Sequence, residues 1–161
     1  MKKDLLIVAG LFALIIGLLI VNSRVNIFLK STTPTAVTST QVKINNLAIT
    51  AEVAKTAQTR EKGLSQRENL PQNYGMLFVF ETEDRFRFWM KDVKFPLDMI
   101  WIDGEKRIAD ISHSAQPQPN TPENLLRIYQ SAVPVKYVLE LSGGTAESNS
   151  LRIADQVQFQ L

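Results

Sequence analysis

Within Leu97-Asp98-Met99-Ile100-Trp101-Ile102 a single carboxylate interrupts an otherwise apolar run. Such a group must sit at a strand end, find a partner or take up a proton, because an ionised carboxylate left unpaired away from water is strongly destabilising. Two roles are open to Asp98. It could be a general acid or base with a raised pKa, or it could pair with Arg67 or Lys91 and so hold two loops together. The ion pair is favoured, since a partner removes most of the cost of burial. Arg67 and Lys91 border Tyr74 and Trp89, and a cationic rim over two aromatic side chains could receive a carboxylate or a sugar. The candidate ligand-binding set is therefore Arg67, Tyr74, Trp89, Lys91 and Asp98. Asp98 is its only candidate catalytic residue.

Other chemistries find less support. His113 is the only histidine, with no His-Glu-x-x-His pattern around it, so a metal role is not expected. A serine hydrolase would need His113 as its base, yet no Gly-x-Ser-x-Gly elbow is present. Met76, Met90 and Met99 offer soft thioethers that suit Cu(I), but all three lie in apolar strand-like runs where core packing is the simpler account. Gly143-Gly144 is only a fragment of a phosphate-binding loop. There is no cysteine, which removes disulfides, thiolate nucleophiles and lipidated cysteines. No cofactor and no metal are expected.

These candidates lie in or beside Gly63 to Asp103, which holds both tryptophans, five of the eight phenylalanines and three of the four methionines. The flanking pattern predicts the scaffold. Val42-Lys43-Ile44 and Leu47 to Val53, joined by Asn45-Asn46, read as a hairpin whose second strand alternates Leu47, Ile49, Ala51 and Val53 against polar neighbours. Thr56 caps a short helix through Lys62 that ends at Gly63. Met76 to Phe80 reads as a strand buried on both faces, Glu81 to Asp84 as a turn, and Arg85 to Met90 as a strand returning along it. Leu97 to Ile102 and Arg107 to Ser112 flank the Asp103-Gly104 turn. Ala115 to Ser131 is too rich in proline for a central strand, and a short helix is expected from Thr121 through Tyr129. Val135 to Leu141 is a strand, Thr145 caps one turn of helix to Ser150, and Gln156 to Leu161 closes the chain. The expected fold is mostly β (α+β): about eight short antiparallel strands in a strongly curved sheet or small barrel, with two or three short helices.

Ahead of this domain, Leu5 to Val21 carries no charge and no proline, and Met1-Lys2-Lys3 precedes it. Residues 1–30 are read as a membrane anchor or signal segment, with a retained transmembrane helix preferred over a cleaved one. Residues 31–40, rich in Ser and Thr, read as a flexible linker, and 41–161 as one globular domain. The formal net charge of +2 is misleading. Residues 1–40 hold four of the 18 Lys and Arg and one of the 16 Asp and Glu, so the domain is within one charge of neutrality. Its cations are scattered, so no nucleic-acid partner is expected. The domain is expected to face the extracytoplasmic side, or to be secreted if the head is cleaved.

A resemblance adds to this reading. Gly63-Leu64, Arg67, Leu70-Pro71, Gly75-Met76-Leu77-Phe78, Phe80, Phe88-Trp89-Met90-Lys91, Pro96-Leu97-Asp98, Tyr137-Val138-Leu139-Glu140 and Gly144 together resemble domain-of-unknown-function family 192. The match spans about Val42 to Leu161. Ser65 stands where the family usually has methionine, Lys91-Asp92-Val93 where it has Lys-Asn-Thr, and Ala154-Asp155 where it has Gly-Asp. The resemblance implies a compact, mostly β domain, often behind an export signal, and implies no activity. The reading favours a membrane-tethered module that binds a small ligand, an envelope polymer or a protein. The alternatives are a hydrolase or lyase using Asp98 with Arg67 and Lys91, and a purely structural accessory domain.

Overall fold

In the computed structural model, residues 38–161 are described, and the candidate membrane segment Leu5–Val21 lies outside them. Among the described residues no helix is long and apolar enough to cross a membrane. The chain enters through the expected hairpin, β1 (Ser39–Ile44) and β2 (Leu47–Ala54), with Asn45 at φ 52° in the left-handed region that this tight turn requires. Helix α1 (Ala57–Lys62) follows. Thr56 caps it by accepting from the Thr59 backbone N–H, and Gly63 ends it at φ 47°.

The remaining elements are β3 (Tyr74–Asp84), β4 (Leu97–Ile102), β5 (Ile108–Ala115), a 3-10 turn (Glu123–Leu125), β6 (Val135–Ser142), α2 (Thr145–Ser148) and β7 (Val157–Gln158). They form one seven-stranded sheet in the order β5-β4-β6-β3-β2-β1-β7. The sheet curls until its two edges meet. Arg107 bridges Gln156, and the Ala154 and Val157 N–H groups donate to Ile108 and Lys106. The result is a half-barrel closed at one end, which leaves little edge for another chain to pair with.

Six expectations need correction. β2 and β3 run parallel, because the connection through α1 carries the chain back to the same end of the sheet, as a parallel pair requires. Glu81 to Asp84 is not a turn: β3 continues through it, off the core and into solvent, to pair Asp84 with Val135 after a register shift. Arg85 to Met90 is not a strand, since β2 and β6 already occupy both edges of β3. The segment crosses the sheet face instead, held by a single bridge in which Phe88 and Tyr129 exchange backbone hydrogen bonds of 2.9 and 2.8 Å. Finally, the proline-rich stretch keeps only one 3-10 turn, β7 is two residues long, and α2 starts from Gly144 at φ 86° without a side-chain cap from Thr145.

Both faces of the sheet are covered. One face gathers apolar side chains from all seven strands, among them Ile44, Ile49, Leu77, Ile100, Leu139 and Val157. The other face belongs to the central strands β3, β4 and β6, whose Met76, Phe78, Met99, Trp101 and Val138 are roofed by Leu64, Leu70, Met90 and the aromatic residues of 86–95. This roof has little regular structure and is laid on the sheet by side-chain packing. Gly75 lets β3 lie close to its neighbours: a Cβ there would stand 2.7 Å from the Glu140 carbonyl oxygen.

Asp98 is completely buried, and its partners are neither Arg67 nor Lys91. Oδ1 accepts from the Ser114 N–H at 2.8 Å and Oδ2 from the Ala146 N–H at 2.7 Å. The carboxylate thus pins the end of β5 and the start of α2 to β4. Ser114 sits at φ 45°, a strained position held partly by this bond. Asp98→Asn keeps one acceptor but turns an amide N–H₂ toward the other donor, so a loss of about 2–3 kcal/mol is expected in urea unfolding, as a lower midpoint with an unchanged slope. A change under about 0.5 kcal/mol would contradict the pinning role.

Candidate functional site

The roof over β3, β4 and β6 leaves a cleft of about 400 Å³. Its walls are Leu64, Phe78, Phe80, Phe86, Phe88, Trp89 and Val93. The aromatic rings are locked to one another: Phe80 and Phe86 stack at 3.5 Å, Phe88 meets Phe78 edge-on at 4.9 Å, and Phe88 meets Trp101 edge-on at 5.4 Å. Trp101 is itself buried and donates its Nε1–H to Ser112 Oγ at 3.0 Å. Trp89 is different. It stands at the mouth, 42% exposed, rather than within the core.

At the base of the cleft lies Glu140, which the sequence reading did not single out. It projects from β6 onto the same face as Val138, opposite Met76 of β3 and Met99 of β4. The residue is 5% exposed, and no hydrogen-bond or ion-pair partner for its carboxyl group occurs among the described residues; since no side-chain oxygen there is both fully sealed and unpartnered, its carboxyl oxygens open onto the cleft. Burial among methionines and aromatic rings pushes its pKa up to about 8. At neutral pH the group is therefore mostly the neutral acid, with one O–H to donate.

Its concealment in the sequence has a plain cause. In Val135 to Ser142 the alternation sets Tyr137, Leu139 and Leu141 on the barrel face and Lys136, Val138, Glu140 and Ser142 opposite. That second set reads as a half-polar outer face, and only the irregular roof, which periodicity does not report, makes it interior. The usable signal was the argument applied to Asp98: a lone carboxylate inside a run of apolar strand residues.

The mouth is mostly cationic. Arg60, Lys62, Arg87 and Lys91 face Glu61 and Glu123 across it. Arg60 is fixed, donating from Nη1 to the Lys55 and Val79 carbonyls at 2.8 and 3.0 Å with its guanidinium 5.0 Å from the Phe80 ring centre. Lys91 pairs with Glu123 at 3.3 Å.

Of the residues proposed from sequence, Trp89 and Lys91 border this cleft, whereas Arg67, Tyr74 and Asp98 do not line it. Arg67 instead forms a bidentate pair with Glu52 of β2, both contacts 2.7 Å, and its guanidinium holds the Glu52 carboxyl below the usual range. Tyr74 is 47% exposed at the start of β3. The shared pocket of Arg67, Lys91 and Asp98 is thus not formed. Met76, Met90 and Met99 are buried in the apolar layer, and among the described residues no three His, Asp or Glu side chains gather where one ion could be held. Two larger open grooves exist, one along the edges of β1 and β7 and one under Pro117–Thr121, but neither has a buried ionisable group at its floor.

Comparison with known proteins agrees with this fold. A crystal structure from Sinorhizobium meliloti, of a protein assigned provisionally as a transcription regulator, superposes with a TM-score of 0.69 at 29% identity, covering 78% of this chain and 96% of that one. A protein of unknown function from Novosphingobium aromaticivorans superposes with a TM-score of 0.67 at 26% identity, covering 80% and 91%. No curated protein sequence matches this chain. The family model DUF192, described as an uncharacterised ACR, matches residues 40–159, and the chain belongs to that family.

Proposed function

We propose that this chain is a small-ligand binding module, and that the aromatic cleft over Glu140 is its site. One observation carries the reading: a nearly buried carboxyl group with no partner among the described residues, opening onto a cleft with fixed aromatic walls. An apolar residue there would make the fold more stable, so the acid is best understood as a group kept for what enters the cleft. Size agrees, since about 400 Å³ falls in the range of small-molecule sites. In this reading Trp89 and Lys91 form the mouth and Glu140 supplies the one polar contact at depth. A hydrolase or lyase acting through Asp98 has less support, because that group is sealed in and both its oxygens are engaged. Residues 1–30 are proposed to tether the domain to the membrane on its extracytoplasmic side, supported by the uncharged run Leu5–Val21 and the polar 31–40 stretch behind it.

The binding reading is tested with the full chain in lipid nanodiscs, titrated with a fragment library balanced among anions, cations and neutral compounds. The two indole N–H signals report on the cleft mouth (Trp89) and on the sealed layer beneath (Trp101). At least one compound is expected to move the Trp89 signal saturably, and Glu140→Leu is expected to abolish that binding. If nothing perturbs Trp89, the cleft is not a binding site.

The stability cost of Glu140 gives a second test. Its pKa is raised from 4.5 to about 8 in the folded chain, so the folded state holds a proton that the unfolded state releases between those values. Its contribution to stability is fully present below pH 4.5 and is lost as pH rises through about 8. Glu140→Gln is therefore expected to match the parent near pH 4.5 and to exceed it by roughly 2–4 kcal/mol above pH 8 in chemical unfolding. Equal stability of the two at both ends would show that Glu140 is not buried as described.

A further inference from the structure

We infer that the cleft selects a small organic anion with an apolar body whose inner end carries a neutral hydrogen-bond acceptor such as a carbonyl. This inference rests on the reading of the cleft as a binding site and adds the chemical class of its occupant. Three features of the lining carry it.

The first is charge at the mouth. Every charged group that faces the cleft can be named: Arg60, Glu61 and Lys62 from α1, Arg87 and Lys91 from the roof, and Glu123 from the 3-10 turn. Four cations oppose two carboxylates. Glu123 is engaged by Lys91, whereas Lys62 and Arg87 have no carboxylate within 4.0 Å among the described residues. Arg60 donates through Nη1 alone, which leaves its other N–H groups without a hydrogen-bond partner among the described residues. An entering anion is attracted and an entering cation repelled.

The second is the floor. β3 and β4 present only Met76 and Met99 beside Glu140, so no cation accompanies it there. As the neutral acid it offers a single O–H and finds no acceptor among the described residues. A ligand carbonyl or ether oxygen would satisfy it. A ligand anion placed at that depth would have no positive partner, so the negative end belongs at the mouth. The third is the wall between them, made of phenylalanine rings and Leu64, which suits an apolar body.

The inference is tested with three probes that share one ring: 4-acetylbenzoate, 4-isopropylbenzoate, which replaces the carbonyl by a branched alkyl group of similar shape, and 4-acetyl-N,N,N-trimethylanilinium, which replaces the anion by a cation. Each is titrated into the full chain in nanodiscs while the two indole signals are followed. 4-Acetylbenzoate is expected to move the Trp89 signal and to bind about tenfold more tightly than either of the others. Its affinity is expected to fall about tenfold from about pH 6.5 to about pH 9, as Glu140 ionises below the range of lysine, and Glu140→Gln, whatever affinity it retains, is expected to show no such fall. Equal or tighter binding of the cation or of the isopropyl compound overturns the ligand class while leaving the cleft a binding site. Failure of all three to move Trp89, when another compound does so, also overturns the class. Failure of every compound rejects the site itself.

Discussion

Desolvation of the Glu140 carboxyl group is the constraint around which the described structure is arranged. A carboxyl group loses far more by leaving water than a methylene gains, and here no cation or N–H group compensates. Burial raises its pKa well above the ordinary carboxylate range, which holds only while the surroundings stay apolar. The sheet supplies the floor through Met76 and Met99 and one wall through Phe78 and Phe80, and the roof supplies the rest through Phe86 and Phe88. The irregular backbone of residues 85–95 has a separate cause. A strand there would have needed an edge of β3 that β2 and β6 already hold, so the segment packs by its rings instead.

Asp98 shows the contrasting solution one strand away. Both groups project from central strands with little exposure, yet Asp98 receives two backbone N–H bonds and Glu140 receives none among the described residues. The first arrangement closes off the carboxylate and spends it on holding β5 and α2 to β4. The second leaves a donor aimed at open space. Asp98 is satisfied within the protein, and Glu140 is the group on which the binding proposal rests.

Much of the scaffold was legible in the sequence because its signals are local. The Asn45-Asn46 turn, the Thr56 cap, the Gly63 stop, and the apolar runs at 97–102 and 135–141 each express a backbone or burial preference within a few residues. The parallel pairing of β2 with β3 was not legible, since it depends on where a nineteen-residue connection returns, roughly a matter of path rather than composition. The proposed cleft was legible in part: Trp89 and Lys91 border it, whereas Glu140 was passed over in favour of Asp98. Both are single carboxylates in apolar runs. Alternation put Glu140 on what read as an outer face, and only the tertiary roof turns that face inward.

The most direct measurement is the titration of Glu140 itself, followed through its side-chain carboxyl ¹³C resonance in the full chain and assigned by its absence in Glu140→Gln. A midpoint near 8, well separated from the exposed carboxylates, is the predicted result. A midpoint near the ordinary 4.5 would mean that water or a cation reaches the group, and the cleft would lose the property that defines it.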